Sequence, residues 1–320
     1  MEAKLVDELP LGSGWQFEPK WDGFRCLAFK RDGIVELRAK SGKSLSRYFP
    51  EVVNALAEFP GRRFVIDGEL VIEIDGAFSF EVLQMRLHPA ASRIAKLAVS
   101  TPARLVVFDM LEDTGGQSLL DTPLSERRNR LVGFVEKGSP RTILELSPTT
   151  SDRRQAARWL QRAGRGRYDG VVAKRLDGLY EPGERQMRKI KRLRTADCVV
   201  GGFRYQSASN QVGSLLLGLY DRDGKLNHVG FTSTISNKER QALTRRLENL
   251  RKPPGFTGNA PGGPSRWSTE RMSAWEPLRP KLVVEVRFDQ VTDGRFRHGT
   301  KLVRWRPDKA PTQCGCDQIG

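Results

Sequence analysis

The chain has 320 residues, of which 38% are hydrophobic, and its 54 Lys and Arg outnumber 38 Asp and Glu to give a formal charge of +16. That apolar share suffices for a buried core and excludes wholesale disorder, while no stretch approaches the ~20 apolar residues of a membrane span. The acidic start, MEAKLVDELP, has no apolar run and excludes a secretory signal, so a cytoplasmic chain is expected. The positive excess is spread along the chain without a low-complexity tract. A folded basic surface facing a polyanion is therefore expected.

In chain order, FRCLAFKR (24–31) and IVELRA (34–39), joined by Asp32-Gly33, predict a hairpin. FVIDGELVIEID (64–75), followed by Gly76, predicts another strand and turn. SFEVLQMRLHPA and SRIAKLAV have helical spacing, and ARLVVFDML (103–111) reads as a buried strand. PLSERRNRLVGFVEK (123–137) predicts a helix with Pro near its start. TSDRRQAARWLQRAG (150–164) predicts one capped by Ser or Thr and stopped by Gly164. The pairs Arg127-Arg128 and Arg153-Arg154 read as solvated helix faces. YDGVVAKR (168–175) is strand-like.

Beyond residue 195 the pattern changes. DCVVGGFRY, VGSLLLGLYD, LNHVGFTST, LVVEVRFD and TKLVRWRP read as short strands, with one helix at KERQALTRRLENL and a Pro/Gly-rich loop at 252–266. Several short strands plus one helix fit a small barrel of the OB type. A boundary is placed near residue 193, giving domains 1–193 and 194–312 and a tail, 313–320. Cys26 and Cys198 sit in strand-like runs as small hydrophobes. Cys314 and Cys316 are read as part of a disordered or artefactual tail. The four Cys and three His form no zinc-ligand pattern, so free thiols in a reducing compartment are expected.

The chemistry starts at EPKWDGFR (18–25). Lys20 lies in an apolar setting between Phe17 and Phe24, where a lysine of depressed pKa becomes a nucleophile. Gly23 permits close backbone approach, and Arg25 offers a fork for phosphate or ribose oxygens. Downstream, in order, stand Asp67-Gly68-Glu69, Phe108-Asp109, Asp169-Gly170-Val171-Val172-Ala173-Lys174, Lys189-Ile190-Lys191 and Arg304-Trp305-Arg306-Pro307-Asp308-Lys309. Singly, each has a plain structural reading: a core Phe, a turn acid, a basic stripe.

Together the series resembles the collinear motifs of the covalent nucleotidyltransferases, over about residues 15–310, and within them the bacterial ligase C type of ATP-dependent DNA ligase. The resemblance implies an α+β architecture: an adenylyltransferase domain of antiparallel sheets and helices, then an OB-fold barrel. It implies ATP and Mg²⁺ or Mn²⁺ as cofactors. Lys20 would attack the α-phosphate to form lysyl-AMP, with its neutral amine favoured by nearby cations and metal. Asp22 and Arg25 would assist, and Glu18 and Phe108 would hold the adenosine. Lys174, Lys189 and Lys191 would neutralise phosphate charge, the last two pointing to one face of a strand. Glu69 and Asp169 would hold the metal, although the family usually has Glu where Asp169 stands.

Lys40-Ser41-Gly42 replaces the Arg-Asn-Gly that contacts DNA phosphates in such ligases, so Lys40 is expected to make a point-charge contact. Arg297, Arg304, Arg306, Asp308 and Lys309 would bind DNA or orient pyrophosphate, after which the second domain rotates away. The implied partner is nicked duplex DNA sealed by a monomer in repair, beside a primase-polymerase by analogy. The alternatives are an RNA ligase or an mRNA capping guanylyltransferase with the same lysine chemistry. The RWRPDK ending weighs against capping, and the full OB-like half weighs against many RNA ligases.

Overall fold

Asp32 and Gly33 adopt left-handed backbone, with φ of 48° and 85°. That is the primed turn expected between β3 (Phe24–Arg31) and β4 (Ile34–Ala39), which pair antiparallel from Cys26 opposite Ala39 to Arg31 opposite Ile34. The computed structural model describes residues 1–138, 143–164, 166–207, 209–262 and 274–319, and the chain divides into two compact units, Met1–Arg192 and Leu193–Gly320. No helix among the described residues is long and apolar enough to cross a membrane.

The first unit opens with β1 (Ala3–Leu5) and β2 (Trp15–Trp21). After the hairpin come α1 (Pro50–Glu58), β5 (Arg63–Ile74), β6 (Ala77–Phe78), α2 (Phe80–Met85), α3 (Ala91–Ser100) and β7 (Ala103–Glu112). Then follow α4 (Leu124–Lys137), β8 (Leu144–Leu146), α5 (Arg153–Arg162), β9 (Tyr168–Arg175) and β10 (Met187–Lys191). They build two sheets, ordered β1-β10-β9-β2 and β4-β3-β5-β7-β8 with β6 on β5. Most pairs are antiparallel; β1 with β10 and β7 with β8 are parallel. The first of these was not expected, because KLVDELP carries no strand alternation.

Helices cover the outer faces. Val52 and Leu56 of α1 and Leu131 and Phe134 of α4 join Leu37, Ile66 and Leu105 of the larger sheet in one core. Ala156 of α5 packs on Phe17, Val171 and Ala173 of the smaller sheet. Two small apolar clusters join the two sheets. One holds Val65, Leu111, Tyr180 and Met187; the other holds Trp21, Val71, Phe78 and Val106, with Phe108 packed against it. The gap between the sheets is where a cavity opens.

Two expectations for the helices are corrected. The cap of α5 is Asp152, whose Oδ1 accepts the Arg154 N–H at 2.8 Å, rather than Ser or Thr. Arg127 and Arg128 are buried, not solvated. The Arg127 guanidinium forks onto Asp109 at 2.8 and 3.0 Å and also donates to the carbonyls of Thr122 and Gly178. Arg128 donates to the Ser147 carbonyl. A buried Asp on β7 requires such a partner, and α4 supplies it.

The second unit comprises β11 (Arg194–Tyr205), β12 (Val212–Tyr220), β13 (Leu226–Thr232), α6 (Arg240–Glu248), β14 (Glu276–Pro277), β15 (Val283–Phe288), β16 (Val291–Thr292), β17 (Arg295–Phe296) and β18 (Lys301–Trp305). The main sheet runs β13-β12-β11-β15-β18. A parallel bridge between Thr232 and Thr300 joins its two ends, and the Thr232 hydroxyl donates to the Thr300 carbonyl at 2.9 Å. The sheet therefore closes as a barrel, with α6 tied to β12 by the Val212 N–H on Thr244 Oγ1. Part of the 252–266 loop lies outside the described residues.

The expected disorder of the chain end is overturned. Cys314 and Ile319 are buried in the barrel core beside Cys198. The Tyr220 N–H donates to the Cys314 carbonyl at 2.8 Å, and Gln318 brackets the backbone of Asp197. The composition of CGCDQIG hid two core residues in a polar-looking end.

Candidate active site

A cavity of about 500 Å³ lies within the first unit, the size of a small-ligand site. Glu18, Lys20 and Trp21 of β2 line it, with Glu69 of β5, Phe108 of β7 and Lys174 of β9. Lys189 of β10, Arg25 of β3 and Lys40, just past β4, complete the cationic wall. Seven cations thus surround one space: Lys4, Lys20, Arg25, Lys40, Lys174, Arg185 and Lys189.

Lys20 stands next to last in β2, opposite Gly170, at a register shift between Lys20 and Trp21. Such an irregularity re-aims a side chain. Its Nζ lies 2.9 Å from Asp169 Oδ1, and Asp169 Oδ2 lies 3.0 Å from Lys191 Nζ, so one buried carboxylate bridges two ammonium groups. Gly170 and Gly23 make this closeness possible. A Cβ at Gly170 would sit 2.1 Å from the Ile190 carbonyl oxygen, and one at Gly23 equally close to that of Leu70. The Gly23 N–H donates to Glu69 Oε1 at 3.1 Å. Asp22 sits in the turn between β2 and β3.

Phe108 lines the cavity, and Lys174 Nζ lies 4.5 Å from its ring centroid. Lys174 is itself buried and paired with Glu18 at 2.8 Å, and Gln16 donates to the same Glu18 oxygen. Burial, then Lys20 and Lys191, holds the Lys189 ammonium below its ordinary range. Burial pushes the Glu69 carboxyl up to about 8, against the pull of Lys20 and the Gly23 N–H.

The two expected metal ligands separate on chemistry. Glu69 fits a hard cation: it is a desolvated carboxylate facing the cavity, and Mg²⁺ commonly takes one or two carboxylates plus substrate phosphates. Asp169 is placed differently: it is buried, its oxygens lie 2.9 and 3.0 Å from the ammonium groups of Lys20 and Lys191, and its Oδ1 still lacks a hydrogen-bond partner among the described residues. Among the described residues no group of three or more His, Cys, Asp or Glu gathers to hold a metal.

Arg25 departs from expectation too. Its Nε and Nη2 fork onto Asp67 at 3.1 and 2.7 Å, and Nη1 donates to the Met1 carbonyl at 2.6 Å. The Tyr180 hydroxyl donates to Asp67 Oδ2 at 2.9 Å. The fork expected to read phosphate or ribose is closed on an internal acid, and Arg25 instead pins β3 to β5 beside the cavity. Asp67 and Tyr180 were missed; the signal for Asp67 was an acid on an inward position of an apolar strand, which requires a buried cation. Lys189 and Lys191 share a strand face as expected, but they part company. Lys189 lines the cavity while Lys191 braces Asp169.

In the second unit Asp197 is the centre that sequence reasoning missed. It accepts Arg306 Nη1 at 2.9 and 3.0 Å and Lys309 Nζ at 2.8 Å, and Arg306 also forks onto Asp308. Asp308 is held down to about 2, first by its hydrogen bond from Arg306. Arg304 pairs instead with Glu285 at 2.6 Å, and Arg297 donates to Gln290 at 2.8 Å. The unit thus brings Arg306, Asp308 and Lys309 together, while Arg297 and Arg304 take other partners.

Residues 3–191 match the ATP dependent DNA ligase domain, and residues 208–309 match the ATP dependent DNA ligase C terminal region. The chain is 42% identical to DNA ligase C1 of Mycolicibacterium smegmatis, over all of this chain and 92% of that one. It is 41% identical to DNA ligase C of Mycobacterium tuberculosis, again over 100% and 92%. A solved Lig E DNA ligase shares the fold at a TM-score of 0.61 and 19% identity, covering 96% of this chain and 99% of that one. A lysine held in a cation-walled cavity between two sheets, a closed barrel behind it in sequence, and these likenesses together place the chain in the ATP-dependent DNA ligases, with the bacterial ligase C proteins.

Proposed function

We propose that Lys20 carries the AMP. The observation that supports this reading most is the placement of Lys20 Nζ on Asp169, at 2.9 Å, inside a cavity otherwise walled by Lys174, Lys189, Glu69 and Phe108. Lys20 Nζ loses a proton to solvent and its lone pair attacks the α-phosphorus of ATP; a P–N bond forms, the bond to the bridging oxygen breaks, and pyrophosphate leaves with that electron pair. The AMP then passes to the 5′-phosphate of a nick, and attack by the 3′-hydroxyl releases it and seals the strand.

Asp169 orients the nucleophile, and Lys191 balances the second carboxylate oxygen so that Asp169 does not hold Lys20 alone. Lys174 and Lys189 offset the negative charge that builds on the leaving phosphates in a site partly shielded from water. Phe108 offers an aromatic surface to adenine, and the Lys174–Glu18 pair fixes its flank. A divalent cation at Glu69 would supply further charge neutralisation at the phosphates. Arg306, Asp308 and Lys309 act on the departing pyrophosphate, and a monomer working on nicked duplex in DNA repair completes the reading.

Incubation with ATP labelled at the α-phosphate, then a denaturing gel, tests it. Label should stay on the protein with ATP and Mg²⁺, fail with GTP, and chase onto nicked duplex DNA. Stable labelling by GTP in place of ATP would instead favour capping chemistry.

A further inference from the structure

The cations that line the cavity are not balanced alike. Lys20, Arg25 and Lys174 each lean on an acid of the surrounding sheets: Asp169, Asp67 and Glu18. Lys40 and Arg185 lean on Glu2. Lys40 Nζ lies 2.9 Å from Glu2 Oε1, and Arg185 Nε lies 3.9 Å from Glu2 Oε2. Glu2 immediately precedes β1, and its backbone is fixed on both sides. Its N–H donates to the Glu184 carbonyl at 2.7 Å, and its carbonyl accepts the Met187 N–H at 3.1 Å. The backbone of Glu2 is therefore anchored beside the cavity at the start of the β1–β10 pairing, and Lys40 and Arg185 engage its carboxylate.

The geometry points to Glu2 as a built-in stand-in for a phosphate, bridging Lys40 and Arg185 at the mouth of the nucleotide cavity and giving way when a substrate phosphate arrives. The chemistry of the contact is that of a phosphate oxygen: one anionic group, two oxygens, one ammonium and one guanidinium. The pair is displaceable. The side chains of Lys40 and Arg185 are 61% and 73% exposed, and Glu2 is 29% exposed. Exposed pairs of this kind hold weakly, whereas a phosphate brings more charge to the same donors. Lys40 holds the Glu2 carboxyl below its ordinary range, so the stand-in is charged at neutral pH.

Two sources of phosphate share this chemistry: the polyphosphate of ATP and the backbone of nicked DNA. Lys40 also borders a second cavity of about 420 Å³ that shares Glu2 and Arg25 with the first, so either could reach it. The inference rests on the ligase reading for the cavity, and the test separates the two. Glu2→Gln keeps size and backbone pairing but no longer competes as an anion.

Full-length Glu2→Gln should bind one phosphate source about two- to fivefold more tightly, the size of an exposed ion pair. A lower ATP KM in self-adenylylation, with kcat unchanged, identifies the polyphosphate. A lower Kd for a pre-adenylylated nick, with ATP KM unchanged, identifies the DNA backbone. In either case the gain should vanish when Lys40→Ala is added, and Glu2→Asp should restore the wild-type value. Unchanged KM and Kd in a variant that still labels with AMP, or a gain that survives Lys40→Ala, overturns the inference while leaving Lys20 chemistry intact. Loss of labelling in wild type would instead overturn the ligase reading itself.

Discussion

Lys20 and Lys191 share one carboxylate, so loss of Asp169 disturbs two cations of the site at once. Asp169→Asn keeps the volume but leaves two ammonium groups without their common anion. Charge-assisted hydrogen bonds contribute about 1.5–3 kcal/mol, so single-turnover adenylylation should slow about 10- to 100-fold. An unchanged rate would remove Asp169 from the site. Phe108→Ala should weaken ATP use by about 1–3 kcal/mol, the scale of base–aromatic stacking. The check is the ATP KM of a variant whose far-ultraviolet spectrum matches wild type; no change would make Phe108 a core residue alone. At this scale the gathering of Lys20, Glu69, Phe108, Lys174 and Lys189 around one cavity was legible from motif order. The partners were not, because Asp67, Asp197 and Glu2 act through strands distant in sequence from the cations they hold.

The strands were largely legible because their period of two survives in an antiparallel sheet with one buried face. Short β1, β6 and β8 were not, being two or three residues long with no room for a pattern. Nor was the burial of Arg127, since a helical Arg reads as solvated until an acid appears beneath it. Arg127→Met would leave Asp109 buried and unpaired and should cost about 3–5 kcal/mol of stability, read by urea unfolding. A loss under about 1 kcal/mol would show that water reaches Asp109.

His228 of β13 gives an element-level pH effect. Burial, then Arg295 and Arg204, lowers it to about 3 from 6.5, and Arg295 Nη2 lies 2.8 Å from its Nδ1. The depressed value means that the unfolded chain binds the proton first. The stability it confers is complete above pH 6.5 and is lost as pH falls toward 3. Thermal unfolding over that range should fall more steeply in wild type than in His228→Gln. Parallel curves would contradict it.

For the whole molecule, composition gave a basic, core-forming chain, and the ordered motifs gave the two-part architecture. What composition obscured was the chain end, where Cys314 and Ile319 complete the barrel core. The division of labour between the units is open to test through Lys309, which the second unit holds on Asp197 beside Arg306. Lys309→Ala should slow adenylylation by ATP far more than sealing of a pre-adenylylated nick, because pyrophosphate departs only in the first step. Equal losses on both substrates would refute that division.

The reaction turns on AMP being carried by Lys20 Nζ. The most direct measurement is mass spectrometry of peptides from enzyme treated with ATP and Mg²⁺, with and without a chase by nicked duplex. A single AMP adduct is expected on Lys20, discharged by the nick and absent from Lys20→Ala and Lys20→Arg. An adduct on another lysine, such as Lys189 or Lys174, or one that persists in Lys20→Ala, would contradict it.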